Sequence, residues 1–287
     1  MASKLQTYIF GILWFMLSIL SSAINDVFSK YLSTNLNNFE ISFFRFLFST
    51  LTLLPFIYYK KSFFKTSYLN IHIIRGILLF MGISAWTYGL TVVQVSTVTV
   101  ISFSIPLFIL VLAALFLKEK ITWWRSSATI MGFLGVIITL QPNSVDFNPY
   151  TLTLIFAVFT FATLDVINKK FVTRETTINM LFYSSLFTTL LAAPLAYYYW
   201  QAPSLSELTI SFILGVNANL ILFFLLKAFA LVDVTAVAPY RYLELLFSSI
   251  AAYMTFGELV KKSTVYGGLI LILSTLFITY VDSRSIK

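Results

Sequence analysis

Asn25-Asp26-Val27-Phe28-Ser29-Lys30-Tyr31-Leu32 closes the first long apolar run of this chain, and its centre is written a second time as Asp165-Val166-Ile167-Asn168-Lys169, 139 positions later. The same offset relates Pro55 to Pro194, Tyr58-Tyr59 to Tyr197-Tyr198, Val93-x-Val95-Ser96 to Val232-x-Val234-Thr235, and Glu119 to Glu258. Chance matches are common among apolar residues. One unbroken register that aligns two Asp, two Lys, two Pro and two Glu is an internal repeat.

Working outward from this phrase, apolar runs bounded by charge, Pro or Asn cover 8–32, 39–59, 71–91, 95–117 and 122–140, then 151–172, 178–199, 208–231, 234–256 and 264–281. Each is about twenty residues, the length at which a helix crosses the hydrocarbon, whereas a membrane barrel shows ten-residue alternating segments. With 59% hydrophobic residues, 10% charged and a mean hydropathy of +0.90, the chain has too much apolar surface for one aqueous core. The expected fold is an all-α membrane protein of ten transmembrane helices, organised as a first five-helix repeat over 1–142 and a second over 149–287. The apolar segment after Met1 to Thr7 outlasts a signal peptide and reads as a retained first span.

The net charge of +8 could suggest nucleic acid, but there is no long basic tract. Lys4, Lys60, Lys61, Lys65, Lys118, Lys120, Arg125, Lys169, Lys170, Arg174, Arg284 and Lys287 fall on one side of the expected topology, against Lys261 and Lys262 on the other. This positive-inside bias puts both termini in the cytoplasm. Five spans per repeat is an odd number, so the second repeat enters from the opposite face. Inverted repeats of this kind recur in secondary transporters, with substrate near the midplane at the repeat interface.

Zero cysteines exclude thiol chemistry and thiolate metal sites, and a single histidine, His72, cannot make a histidine-based site alone. No catalytic residue, cofactor or metal site is expected. The contexts Asn25-Asp26 and Leu164-Asp165 do not match the Tyr-Asp and Gly-x-Gly-Asp motifs of intramembrane aspartyl proteases, and no phosphate-binding Gly-x-x-x-x-Gly-Lys-[Ser/Thr] loop is present. No repeated polar filter suggests a channel.

Charged groups inside the spans need partners or a purpose, because each costs about 2.5–3.5 kcal/mol at a helix centre. Asp26, Lys30, Arg45, Asp165, Lys169, Lys227, Arg241 and Glu244 are in this position. Asp26 and Lys30, like Asp165 and Lys169, are four apart and share a helix face. They read either as neutralised ion pairs near helix ends or as gating groups. The densest polar cluster is Pro239-Tyr240-Arg241-Tyr242-Leu243-Glu244, early in the ninth span, where Tyr240 and Glu244 lie one turn apart and Arg241 and Glu244 can pair. Trp86 and Tyr88 near the end of the third span read as interfacial anchors or binding aromatics. Pro106 is expected to kink the fourth span, with Ser102 and Ser104 flanking Phe103 to satisfy freed carbonyls. Gly76, Gly82 and Gly89 permit close helix approach.

Two five-span repeats, Asn25-Asp26 near the end of the first span, Glu119 and Glu258 closing the fourth and ninth, and Gly132 to Gly135 in the fifth resemble the EamA branch of the drug/metabolite transporter superfamily. The resemblance covers nearly the whole chain. It implies a secondary transporter acting as a monomer among membrane lipids in a bacterial inner membrane, without nucleic acid. More narrowly, the stretches 25–32, 39–46, 86–90 and Ala238-Pro239-Tyr240-Arg241-Tyr242-Leu243-Glu244 are similar to those of S-adenosylmethionine uptake transporters of rickettsiae and related intracellular bacteria. That implies uptake of S-adenosylmethionine with S-adenosylhomocysteine as counter-substrate, and an EamA-type exporter of amino acids or other metabolites is the alternative. The substrate-contacting candidates are Trp86, Tyr88, Phe103, Tyr240, Arg241 and Glu244. Aromatic rings would stack on adenine and hold the sulfonium, each cation-π contact being worth about 0.5–2 kcal/mol. Arg241 would take the carboxylate and Glu244 the ammonium.

Overall fold

A computed structural model describes residues 4–59, 66–92, 95–119, 122–140 and 152–257, with 266, 269, 270, 273, 277, 280 and 281 of the last segment. Among the described residues every regular element is helical. In chain order these are α1 (Lys4–Leu32), α2 (Asn38–Tyr59), α3 (Leu69–Val92), α4 (Val95–Ser102), α5 (Ile105–Phe116) and α6 (Trp123–Leu140). The second half holds α7 (Leu152–Phe171), α8 (Thr177–Tyr198), α9 (Leu205–Leu231), the short turn α10 (Val234–Val237), a 3-10 stretch (Ala238–Leu243) and α11 (Glu244–Phe256).

Six of the described helices, α1, α2, α3, α7, α8 and α9, are long and apolar enough to cross a membrane. At 1.5 Å rise per residue, the 29 residues of α1 reach about 43 Å. Phe10, Leu13, Leu190 and Phe212 face outward, while Asn25, Ser49, Thr188 and Ser211 are buried. Apolar side chains outside and polar groups inside reverse the pattern of a water-soluble domain, as a lipid surround requires.

The expected fourth and ninth spans are not single helices. The fourth stops at Ser102 and restarts at Ile105, with Ser104 as N-cap and Pro106 in the first turn of α5. Proline is tolerated there because the N–H it lacks has no helical partner at that position. The ninth runs through α10 and the 3-10 stretch before α11 begins at Glu244, so the polar cluster around Pro239 does not sit on one regular α-helix. The expected tenth span, Lys261, Lys262 and Glu258 lie outside the continuously described residues.

Packing repeats the sequence offset. α1 packs on α9 and α3 on α7, while α2 packs on α8. Gly76 abuts the Cβ of Phe187, and Gly215 abuts the Cβ of Phe48, two contacts that exchange under a shift of 139. Thr50 and Thr189, also 139 apart, meet hydroxyl to hydroxyl at 3.5 Å. The close approaches expected at Gly76, Gly82 and Gly89 are present, against Phe187, Thr160 with Phe161, and Leu154. Polar stitches reinforce them: Ser18 donates to the Ile221 carbonyl at 2.9 Å, and Asn217 Nδ2 to the Ser21 carbonyl at 2.8 Å.

Gly215 carries the most constrained of these contacts, because an added Cβ would meet main-chain atoms, Ser49 N at 2.7 Å and Arg45 O at 2.8 Å. A side chain could rotate away from such a clash, but main chain in a packed helix cannot. Gly215→Ala is therefore expected to push α9 off α2 at a cost of about 1–3 kcal/mol. A lowered midpoint of thermal unfolding in detergent is the expected readout, and an unchanged midpoint would mean that the two helices do not touch there.

Candidate functional site

A cavity of about 140 Å³ opens in the middle of the bundle, with walls from α1, α2, α3, α7, α8, α9 and both broken segments, the fourth through Ser102 and Ile105 and the ninth through Arg241 and Glu244. Six ionisable side chains line it: Asp26, Arg45, Arg75, Asp165, Arg241 and Glu244. All but Arg241 are buried, and its side chain is 14% exposed. Three carboxylates face three guanidiniums in an apolar bundle, and this arrangement decides which partners each can take.

Asp26 accepts a hydrogen bond from the Trp86 indole Nε1 at 2.8 Å, with Arg45 and Glu244 close enough to act on its charge. Trp86 is fixed further by the edge of the Phe161 ring, 5.8 Å away between centroids. Arg45 lies over the Phe46 ring at 5.3 Å, and its Nε has no hydrogen-bond partner. Asp165 pairs with Arg241 Nη2 at 2.7 Å, and that guanidinium also lies over the Phe15 ring at 5.6 Å. Ser22 hydrogen-bonds Glu244.

The 3-10 geometry explains which members of the ninth-segment cluster reach the cavity. With three residues per turn, positions i and i+3 eclipse, so Arg241 and Glu244 project together. Tyr240 turns instead into the main apolar cluster. Tyr242 packs edge-on against Phe103 at 5.3 Å and donates to the Thr129 carbonyl at 2.9 Å. Of the substrate-contacting candidates, the cavity thus brings together Trp86, Arg241 and Glu244. Tyr88, Phe103 and Tyr240 are not on its wall.

The four-apart pairs are arranged differently from the local salt bridges that the spacing permits. Asp165 reaches across to Arg241, while Lys169 donates to the carbonyls of Phe229 at 2.8 Å and Val232 at 2.7 Å, capping the end of α9. Asp26 takes Trp86, and the Lys30 ammonium lies 5.5 Å over the Phe256 ring. Aspartates on the cavity and lysines at the helix ends divide the two roles that the sequence leaves joined.

Arg75 is the ionisable lining residue that sequence reasoning misses, and Asn168 beside it is missed as well. Its Nε donates to Asn168 Oδ1 at 2.8 Å, and its Nη1 donates to the Met180 carbonyl and to His72 Nδ1, both at 3.1 Å. Because Nδ1 accepts, the proton of a neutral His72 ring sits on Nε2, which faces Glu175 at 3.4 Å. Burial would raise the Glu175 pKa, but hydrogen bonds from Thr66, Asn179, the Thr176 main chain and His72 outweigh it and hold the carboxyl below its ordinary value.

Three comparisons with known proteins place the chain. The EamA-like transporter family matches over residues 9–141 and again over 148–280, two segments whose starts keep the 139-residue offset. The chain belongs to the EamA-like transporter family. It is 54% identical to a Rickettsia conorii protein named as an S-adenosylmethionine uptake transporter, covering 100% of this chain and 98% of that one. A Rickettsia bellii protein of the same name is 55% identical, covering 100% and 99%. At 27% identity stands a riboflavin transporter of Vibrio cholerae, covering 96% of this chain and 94% of the relative. A crystal structure at 15% identity shares the fold, with a TM-score of 0.74 over 97% of this chain and 98% of the other. The protein is thus a membrane-embedded transporter and not an enzyme.

The Asp165–Arg241 pair gives a test of the electrostatics. Arg241→Met strands a buried carboxylate and is expected to cost about 3–5 kcal/mol. Adding Asp165→Leu removes the stranded charge and should return most of the thermal stability in detergent. If the double variant is no more stable than the single, the two side chains are not partners.

Proposed function

We propose that this protein takes up S-adenosylmethionine across the bacterial inner membrane in exchange for S-adenosylhomocysteine. The observation that carries the substrate is full-length identity of 54–55% to proteins named for that uptake. The match runs the length of both chains, so it takes in every helix that forms the cavity. The chemistry of the wall agrees. S-adenosylmethionine offers an adenine face, a sulfonium, an ammonium and a carboxylate, and the cavity offers an indole, carboxylates and guanidiniums. Trp86, held edgewise by Asp26, presents a ring to the base or the sulfonium. Asp26 and Glu244 suit the cationic groups.

In this reading the chain holds ten spans in two inverted five-helix repeats, 1–142 and 149–287, with both termini cytoplasmic. The exchanged contacts of Gly76 with Phe187 and Gly215 with Phe48 support a two-fold relation between the halves. The broken fourth and ninth segments provide the discontinuous helices around which such carriers bind substrate. Reporter fusions at Asn143 and Ser285, which lie outside the described residues, should report opposite sides. A shared side would sink the inverted arrangement.

Alternating access needs a closure at each end of the cavity. At the end where α5 meets α10, Glu119 accepts from the main-chain N–H groups of Val234 and Thr235, each at 3.2 Å, and from the Thr235 hydroxyl at 2.7 Å. Arg125 adds the Thr235 hydroxyl at 3.0 Å and Asp233 at 3.4 Å. These contacts join the two halves on the cytoplasmic side and must separate for release there. Lys169, capping α9 beside them, belongs to the same closure. The chain works as a monomer, with the cavity formed inside one bundle.

Transport follows gradients and exchange, without ATP. Purified protein in liposomes preloaded with S-adenosylhomocysteine is expected to take up labelled S-adenosylmethionine several-fold faster than in empty liposomes. Equal rates would remove exchange. No uptake in either case, with labelled amino acids carried instead, would favour the exporter reading.

A further inference from the structure

The charges of the cavity are unevenly placed. Near the end where α1 hands over to α2 stand Asp26 and Arg45, with Glu244 close enough to act on the Asp26 charge, two carboxylates to one guanidinium. Asp165 and Arg241 neutralise each other at 2.7 Å. Toward the opposite end, eleven residues before Trp86 on α3 and so roughly 16 Å along its axis, stands Arg75.

Arg75 is 1% exposed, and every group it is bonded to is neutral: the Asn168 amide oxygen, the Met180 carbonyl and the His72 ring. The carboxylate that acts on it, Glu175, lies behind that ring and already accepts from Thr66 and Asn179. Two donors are left over, side by side. Arg75 Nη2 and Asn168 Nδ2 are both buried and have no hydrogen-bond partner, and both residues line the cavity. The Arg75 Nε bond to Asn168 Oδ1 fixes the amide, so its Nδ2 is unambiguously the free donor. A buried donor left unbonded is destabilising, and a guanidinium more so. A group with two acceptor oxygens and a negative charge satisfies both at once.

We propose that Arg75 and Asn168 form the carboxylate subsite of the cavity, taking the amino-acid carboxylate of the substrate, while the Asp26 and Glu244 end takes its cationic part. This rests on the substrate reading above and reassigns the carboxylate from Arg241, whose guanidinium already holds Asp165. The wall is then a dipole matched to a zwitterion, with Arg75 and Trp86 anchoring its two ends.

The test compares S-adenosylmethionine with its decarboxylated analogue, which keeps the adenosine, sulfonium and amine. In proteoliposomes of the intact protein, the analogue should compete with labelled S-adenosylmethionine about 30-fold more weakly than unlabelled S-adenosylmethionine does. Arg75→Gln removes the charge, and Asn168→Asp fills the subsite with a carboxylate of the protein's own. Both should lower S-adenosylmethionine uptake to about the level of the labelled analogue, which they carry at close to the unaltered protein's rate for it, bringing the two substrates within about threefold. Retained analogue transport shows that the variants are folded. Loss of both substrates together would make Arg75 and Asn168 structural and overturn the proposal, as would variants that keep the original preference. An unaltered protein that takes up S-adenosylmethionine but does not distinguish the analogue overturns this proposal alone. One that takes up none removes the substrate reading with it.

Discussion

The structure depends on one constraint: three carboxylates and three guanidiniums are enclosed in a bundle whose outer surface is apolar. Each would be prohibitive alone, since a single buried charge in such surroundings is worth several kcal/mol against the fold. Together they are tolerable because each has an opposite charge, an aromatic face or a hydrogen bond at hand. The Asp165–Arg241 contact, the Trp86 N–H on Asp26 and the cation-π stacking of Arg45 on Phe46 are the forms this takes. The compensation is incomplete. Donors on Arg45, Arg75, Asn168 and Arg241 and an acceptor on Asn25 remain unbonded, and these are the atoms a polar ligand in the cavity would bond.

The same constraint accounts for the broken helices. A regular helix through Pro239 would offset Arg241 and Glu244 by about 60° around its axis. The 3-10 stretch instead brings Arg241 and Glu244 into line, one toward Asp165 and the other toward Ser22. Freed main-chain groups at such a break are acceptable where they lie inside protein and not against lipid. On α10 the first N–H groups of that short helix find their acceptor in Glu119.

Much of this is legible in the chain itself. The apolar runs mark the helices, and the 139-residue register reappears as the exchanged contacts of Gly76 and Gly215. Asp26, Asp165, Trp86, Arg241 and Glu244 are recognisable as groups with a purpose, because charge and indole inside apolar runs are costly or directional. Their partners are not recognisable. Spacing favours neighbours three or four residues away, whereas Asp26 and Trp86 are separated by 60 positions and Asp165 and Arg241 by 76. Tyr240 and Phe103 lie off the cavity wall for a related reason: an aromatic in an apolar run packs into an apolar cluster unless the backbone turns it toward the cavity, and the 3-10 turn is not written in composition. Arg75 carries its signal openly, a guanidinium within an apolar run, but only the fold shows that His72 and Asn168 hold it against the cavity.

The central claim is that the charge-lined cavity is where S-adenosylmethionine sits. The most direct measurement is a structure of the intact protein with S-adenosylmethionine bound, determined by electron cryomicroscopy in lipid nanodiscs. The account expects ligand density between Trp86 and Arg75, spanning the bundle interior past the Asp165–Arg241 pair. Ligand held at the lipid-facing surface or in an end loop, with the cavity filled by water alone, would contradict it.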